Sequence, residues 1–371
     1  MSTVRPKSNR TVSSAALKER RDQVLRRRKD RPSQSHWAAE QRKIDTGVDL
    51  ETRRRLLKQY GSFTLAYSTA VQPRLMHHGD QHGFIAHRSR WGVTCALGDA
   101  ICDDARRESM LKQFVDQYRR PMFCQISRST AEVLAGLGYY INPMGIDTTL
   151  GLADYTLGGK KKEWLRYAGN WTTRRDYRVK EASFGEVGVD CVEQISEAWR
   201  ETRTVKQKEV RFLNRPIVLE EEPDVRKFFL IDPKGQPMAF VFLDPLYRNG
   251  KIVGYATSFK RRHPSAPQYG EQAIMKHIIE KLKSESVEQL KLGLSPLASI
   301  EASEFPTSKA TEWLFKRAFE SRIVNRYAYH LKGHADYKRR FQGSEEPCYI
   351  AMPTRFSPRR LAALLGLSGI A

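Results

Sequence analysis

Apolar residues recur along this chain in two rhythms, the three-to-four spacing of a helix and the short unbroken run of a buried strand. Runs separated by polar turns predict strands at FTLAYST (Phe63–Thr69), HGFIAHRS (His82–Ser89) and WGVTCALGD (Trp91–Asp99). Met110–Arg120 has helical spacing, Pro121–Ser127 reads as a strand, and Thr130–Tyr140 reads as a short helix stopped by a glycine. Farther on, Lys160–Tyr177 is a basic, helix-like segment carrying aromatics, and Val189–Arg203 fits an amphipathic helix. Lys227–Asp232, Pro237–Tyr247 and Ile252–Phe259 then predict a meander of three strands, joined by the turns PKGQ and RNGK. A loop, KRRHPSAPQYG, leads into the helix Glu271–Glu285, with Ile274, Ile278 and Leu282 on one face. A strand (Val287–Ser295), a helix (Thr307–Phe319) and a final strand (Cys348–Met352) complete the pattern.

Residues 1–50 lack sustained periodicity and read as a basic arm, at least partly disordered, with Leu17–Arg31 helix-prone until Pro32. An alternating α/β unit spans 51–157 and a second unit spans 158–355. Residues 356–371 form an apolar terminal helix or tail. The second unit's order of helices, meander, helix, strand, helix and strand is similar to that of a GNAT acyltransferase domain, an analogy of fold alone.

Charge narrows the partners. With 64 Lys and Arg against 42 Asp and Glu, the 371 residues carry a net charge of +22. Residues 1–58 hold 17 of those cations against 7 acids, a net of +10. Such an excess attracts polyanions, either nucleic acid or anionic lipid headgroups. Hydrophobic residues at 40 % supply enough material for folded cores. The five cysteines show no C-x-x-C spacing, which argues against a zinc ribbon or redox motif. No apolar h-region opens the chain and no run reaches the ~18–20 apolar residues of a membrane span. The expected location is cytoplasmic, with a peripheral position on the inner face of the cell membrane as one option. The tail LAALLGLSGIA, after Arg359 and Arg360, either packs on its own domain or lies in a membrane interface. HHGDQHG (His77–Gly83) offers metal-ligand types, but its glycines and aspartate read as a hairpin tip.

Eight segments in order, YGSFTLAYS, WGVTCALGDAI, PMFCQIS, LRYAGNWTTRRDY, RRHPSAP, KLGLSPLAS, DYKRRF and EEPCYIA, make residues 50–355 resemble one family. It is the soluble catalytic domain of the bacterial phosphatidylglycerol lysyltransferases, the aminoacyl-phosphatidylglycerol synthases. The resemblance implies an α/β (α+β) fold of two tandem GNAT-like lobes, with mixed sheets flanked by helices, behind the basic arm. It also implies transfer of an amino acid from aminoacyl-tRNA, as co-substrate and without other cofactor, to a hydroxyl acceptor such as phosphatidylglycerol. The implied partners are aminoacyl-tRNA and anionic membrane lipid, with no metal and no DNA. Lys338 and Arg340 match the two basic positions of the family's DYKRRF-like segment, and Tyr337 and Phe341 match its packing aromatics. Arg261 matches an arginine ahead of the H-P-x-A-P-like loop, so Arg261, Lys338 and Arg340 are the implied catalytic residues. Asn170, Arg174, Ser258 and His263 are the implied substrate-binding ones. Ser258 stands where the family usually has an aspartate, which disfavours a lysyl donor and favours a neutral or small amino acid.

The chemistry suits these residues. The donor ester is already activated, so the enzyme must hold it, align a hydroxyl and stabilise an oxyanion. Prolines in RRHPSAPQYG remove the backbone donors of a pyrophosphate cradle, which argues against acyl-CoA. His263 reads either as a general base or as a histidine capping a turn. The membrane enzymes' transmembrane flippase region has no counterpart in this sequence. That keeps a second reading open, the same donor with a small soluble acceptor of a natural-product pathway. A third is a non-catalytic tRNA-binding or membrane-surface protein.

Overall fold

Asp49 opens the first helix: its carboxylate accepts the Thr52 N–H at 2.8 Å, and α1 (Leu50–Tyr60) follows. α2 (Ala66–Val71) comes next, so the strand expected over Phe63–Thr69 is not formed. Ala66–Ala70 are all buried, and a short apolar run enclosed on every side does not reveal its period. The computed structural model describes residues 47–202, 211–301 and 303–369, so the arm expected over 1–50 lies almost wholly outside the described residues.

The hairpin expected around His77–Gly83 is present, as β1 (Met76–Asp80) and β2 (Gly83–Arg90). β3 (Val93–Leu97), β4 (Ile101–Cys102), α3 (Asp104–Gln117), β5 (Met122–Ile126) and α4 (Arg128–Gly136) follow. β6 (Tyr140–Gly151) has no counterpart in the hydrophobic pattern, because Pro143 and Gly145 interrupt it. Both are accommodated by irregularity. The register of the neighbouring strand slips between Cys348 and Tyr349, opposite these two residues. Gly145 has φ +148°, and a Cβ there would lie 2.3 Å from the Ser295 carbonyl oxygen.

The second half runs α5 (Glu163–Thr173), β7 (Arg178–Glu181), α6 (Phe184–Val187), α7 (Val189–Glu201), β8 (Arg226–Ile231), β9 (Pro237–Arg248) and β10 (Lys251–Arg262). It continues as α8 (Gly270–Ser284), β11 (Gln289–Pro296), α9 (Lys309–Glu320), α10 (Leu331–Arg339), β12 (Ser344–Met352) and α11 (Pro358–Ser368). Ser183 forms a full capping box with Glu186 at the start of α6, and Ser308 and Ser357 cap α9 and α11.

Among the described residues these strands form one sheet, ordered β1-β2-β3-β5-β12-β6-β11-β10-β9-β8-β7, with β4 on β2. The fold is a mixed α/β one, with helices on both faces of a large mixed sheet. β12, near the C-terminus, inserts between β5 and β6 and so completes the part of the sheet built by the first third of the chain. Residues alternate between two cores. Phe228, Val241 and Tyr255 pack under α8, where Ile274, Ile278 and Leu282 are fully buried as their spacing predicts. Phe229, Phe240, Phe242 and Phe259 face the other way, against Val192 and Ile195 of α7. α11 turns Ala363, Leu364 and Leu367 into a core shared with β2 and β3 residues. Its apolar side is thus largely used inside the protein.

One junction in the sheet is open. β10 and β11 run parallel but pair only at Gly254, Tyr255 and Ala256 with Gln289, Leu290 and Lys291. Beyond that, β10 stays on β9 to Arg262, while β11 stays on β6 to Pro296. Each strand has a register shift as it leaves, between Thr257 and Phe259 on β10 and between Lys291 and Gly293 on β11. The two edges therefore splay into a fork, its base crossed by the Thr257 hydroxyl donating to the Leu292 carbonyl at 3.1 Å.

Candidate active site

Backbone carbonyls left unpaired at such a fork need donors. Lys338 supplies them. It lies on α10, where Leu331, Ala335 and Lys338 form the inward stripe at i, i+4 and i+7. A core position is thus filled by a lysine, only 7 % exposed, whose Nζ donates to Gly293 O at 2.8 Å and Leu294 O at 2.7 Å. DYKRRF is therefore the end of a helix and its sequel. Tyr337 and Phe341 pack as their match implied, Phe341 fully buried and edge-on to Trp164. Lys162 and the Tyr155 hydroxyl both donate to the Phe341 carbonyl, satisfying the backbone just past the helix end.

The ammonium of Lys338 is costly at this position. Burial first, and then the Lys260 charge, push its pKa down to about 7, against the opposing pull of Asp147. A neutral amine has two N–H groups and one lone pair. With both N–H groups given to the fork carbonyls, the lone pair is left to accept a proton.

Three further residues complete the constellation, none singled out from the sequence. Asp147 of β6 accepts from the Thr64 hydroxyl through Oδ2, while its buried Oδ1 has no hydrogen-bond partner among the described residues. Lys260 of β10 holds its Nζ 4.4 Å from the Tyr337 ring centre and 3.3 Å from Glu271 of α8. Sequence spacing conceals this set, because residues 64, 147, 260 and 338 lie on separate elements. The residue pattern carried no signal for Lys260 or Asp147: Lys260 reads as the first residue of a loop, and Asp147 lies in a strand that the hydrophobic pattern does not show.

The residues implied by the resemblance fall into three places. Lys338 sits in the fork. Arg340, exposed, stacks its guanidinium 4.2 Å from the Trp164 ring centre, and Asn170 and Arg174 are exposed near the C-terminal end of α5. Arg261 lies on the opposite face of the sheet from Lys260. It is opposite Phe240 in register, is buried, and stacks 4.9 Å from Trp199 of α7. Ser258 donates to the Phe242 carbonyl at 3.2 Å. His263 uses Nδ1 against the hydroxyl and N–H of Ser265, which ties down the turn of the loop.

On the Arg261 face lies a second buried charge cluster. Arg215 makes two bonds to Asp244 (3.0 and 2.7 Å) and two to Glu222 (2.9 and 2.8 Å). Among the described residues no group of three His, Cys, Asp or Glu side chains is placed to hold a metal ion. His77, in the HHGDQHG stretch, is buried against Arg53 and the Thr69 carbonyl, and burial holds it neutral with a pKa pushed down to about 3.

Comparison with known proteins places this arrangement in context. Residues 54–352 match the family described as phosphatidylglycerol lysyltransferase, C-terminal. A phosphatidylglycerol lysyltransferase of Bacillus subtilis is 25 % identical over 266 residues, which is 69 % of this chain and 29 % of that protein. The chain thus spans about a third of the length of the curated relatives it matches. The structure of L-PGS from Bacillus licheniformis superposes with a TM-score of 0.71 at 18 % identity, covering 87 % of this chain and 97 % of that one. The C-terminal domain of a putative lysylphosphatidylglycerol synthetase from Agrobacterium fabrum gives 0.69 at 20 % identity, covering 87 % and 98 %.

Proposed function

Because the chain belongs to the phosphatidylglycerol lysyltransferase C-terminal family, we propose that it moves an aminoacyl group from aminoacyl-tRNA to a hydroxyl of an anionic membrane lipid. The observation that carries this reading is the buried amine of Lys338 in the fork, beside the unpartnered Oδ1 of Asp147. In the proposed reaction the acceptor hydroxyl oxygen attacks the ester carbonyl carbon while the neutral Lys338 amine takes its proton. The Lys260 ammonium steadies the oxyanion of the tetrahedral intermediate. Collapse then breaks the bond to the ribose oxygen, which receives the proton back from Lys338. The free oxygen of Asp147 suits the α-ammonium common to every aminoacyl group, so it binds the donor without choosing its side chain.

The test is incubation of the purified protein with radiolabelled aminoacyl-tRNAs and total lipid extract, with and without ribonuclease. Label is expected in the organic phase, lost when ribonuclease is present. Deacylation of tRNA only on adding cell extract would replace the lipid by a soluble acceptor. No deacylation under any condition would leave a binding protein.

No helix among the described residues is long and apolar enough to cross a membrane. Contact with a lipid surface therefore falls to exposed apolar side chains near cations. With most of the apolar side of α11 spent on the core, Trp313 (64 % exposed) and Leu314 of α9 and Ile323 (72 % exposed), close in sequence, form one such group. Lys309, Arg317 and Arg322 accompany them. Trp313→Ala is expected to weaken binding to phosphatidylglycerol vesicles by about 10- to 150-fold, as loss of ~1.5–3 kcal/mol of apolar burial implies. Co-sedimentation unaffected by this change would remove α9 from the interface.

A further inference from the structure

A row of aromatic side chains on α5 is not used by the transfer chemistry. Tyr167 is 52 % exposed, and Trp171 follows it one helical turn later, a rise of about 5.4–6 Å. Both rings meet Tyr269, the residue that leads into α8, with centres 5.2 and 5.4 Å apart. Packing alone does not account for an exposed tyrosine on a helix whose inward side is already made by Leu165, Ala168 and Thr172. Cations border the rings. Arg175 lies 4.1 Å from the Trp171 ring centre, and Arg174, Lys160 and Lys161 are exposed on the same segment. The row also leads to the fork: two residues after Tyr269, Glu271 pairs with Lys260, which covers Tyr337 beside Lys338.

The geometry points to a stacking platform for the unpaired end of an RNA, built from Tyr167, Trp171 and Tyr269 and bordered by Arg174 and Arg175. Its chemistry is specific in class. Rings one turn apart accept successive bases, and every base offers a flat face. Guanidinium groups beside them meet the phosphates and carry the salt dependence. A lipid surface fits less well, because the exposed positions from Tyr167 to Asp176 are Tyr167, Asn170, Thr173, Arg174, Arg175 and Asp176, with no aliphatic side chain among them to enter acyl chains. The inference rests on the aminoacyl-tRNA donor reading in one respect: a strand held on this platform has its end directed to Lys338.

The experiment measures binding of the full chain to a short single-stranded RNA, to a blunt RNA hairpin and to phosphatidylglycerol vesicles. Tyr167→Ala, at an exposed position that does not endanger folding, is expected to weaken the single strand by about 5- to 150-fold. Tyr167→Phe should restore it, and the hairpin and vesicles should be unaffected by either change. Arg175→Gln should flatten the dependence of log affinity on log salt by about 0.7. Unchanged single-strand affinity in Tyr167→Ala overturns the platform, as does a loss confined to vesicles, which would make this face a lipid surface. The donor reading fails separately. Wild-type protein that binds the strand through these rings but deacylates no charged tRNA would retain the platform and lose the transferase. Transfer by wild type, with the Tyr167→Ala affinity and KM for charged tRNA unaltered, would do the reverse.

Discussion

Lys338→Met lowers aminoacyl transfer by about 10²- to 10⁴-fold, the range that a positioned general base contributes. Methionine keeps the packed stem but leaves the Gly293 and Leu294 carbonyls without the Lys338 donor, a cost of about 1–3 kcal/mol each, so the variant's fold is verified by circular dichroism. Two pH measurements separate this cause from a general disturbance. The wild-type rate, corrected for spontaneous ester hydrolysis, rises with pH through about 7 and then levels, because only the neutral amine accepts a proton. Stability supplies the second readout. The folded pKa of Lys338 lies far below its ordinary value of 10.5, so between pH 7 and 10.5 the unfolded chain binds a proton that the folded chain does not. Stability therefore gains with rising pH in that window, by at most roughly 1.4 kcal/mol per unit. Lys338→Met removes that increment, and its stability relative to wild type is highest at or below neutral pH. Near-wild-type turnover in the variant, or an unaltered pH slope of stability, would take Lys338 out of this role.

Arg215→Met costs about 3–5 kcal/mol of folding stability, the range for removing one partner of a buried ion cluster. The size follows from what remains: buried Asp244 and half-buried Glu222 lose the guanidinium that pairs with them both. Burial already raises the Glu222 pKa against the pull of Arg215, and without the arginine that carboxyl shifts further upward. A folded pKa above the unfolded one gives stability that is present at low pH and lost as pH rises through the folded value. The penalty in urea unfolding is therefore larger at pH 8 than at pH 5. A loss below about 1 kcal/mol, or one independent of pH, would show that water reaches the cluster. Arg215 also spans Tyr67 of α2 and Phe259 of β10, each 5.1 Å from its guanidinium carbon, so the variant should loosen the 211–225 segment first.

Much of the architecture was legible because burial imposes a period. Ile274, Ile278 and Leu282 mark the inner face of α8, and the β8–β10 meander is written in unbroken apolar runs between glycine-bearing turns. The errors have local causes. Ala66–Ala70, buried all round, has no polar side to show that it is a helix. β6, the strand that joins both halves of the sheet, is broken in sequence by Pro143 and Gly145, and only its partners β11 and β12 make it a strand. α10 hides its helical stripe because a lysine fills the third inward position.

The sequence by itself determined the family, the basic character, most helices and strands, and that Lys338 lies in a segment that resembles the family's. Those properties reside in residue type and in near-neighbour spacing. Tertiary structure alone decided that β10 and β11 part, that Lys338 closes the gap, and that Asp147, Thr64 and Lys260 join it while Arg261 points away. The reason is physical. A pKa near 7 comes from burial and from charges distant in sequence, and the face on which a strand residue points is set by the register of the whole sheet.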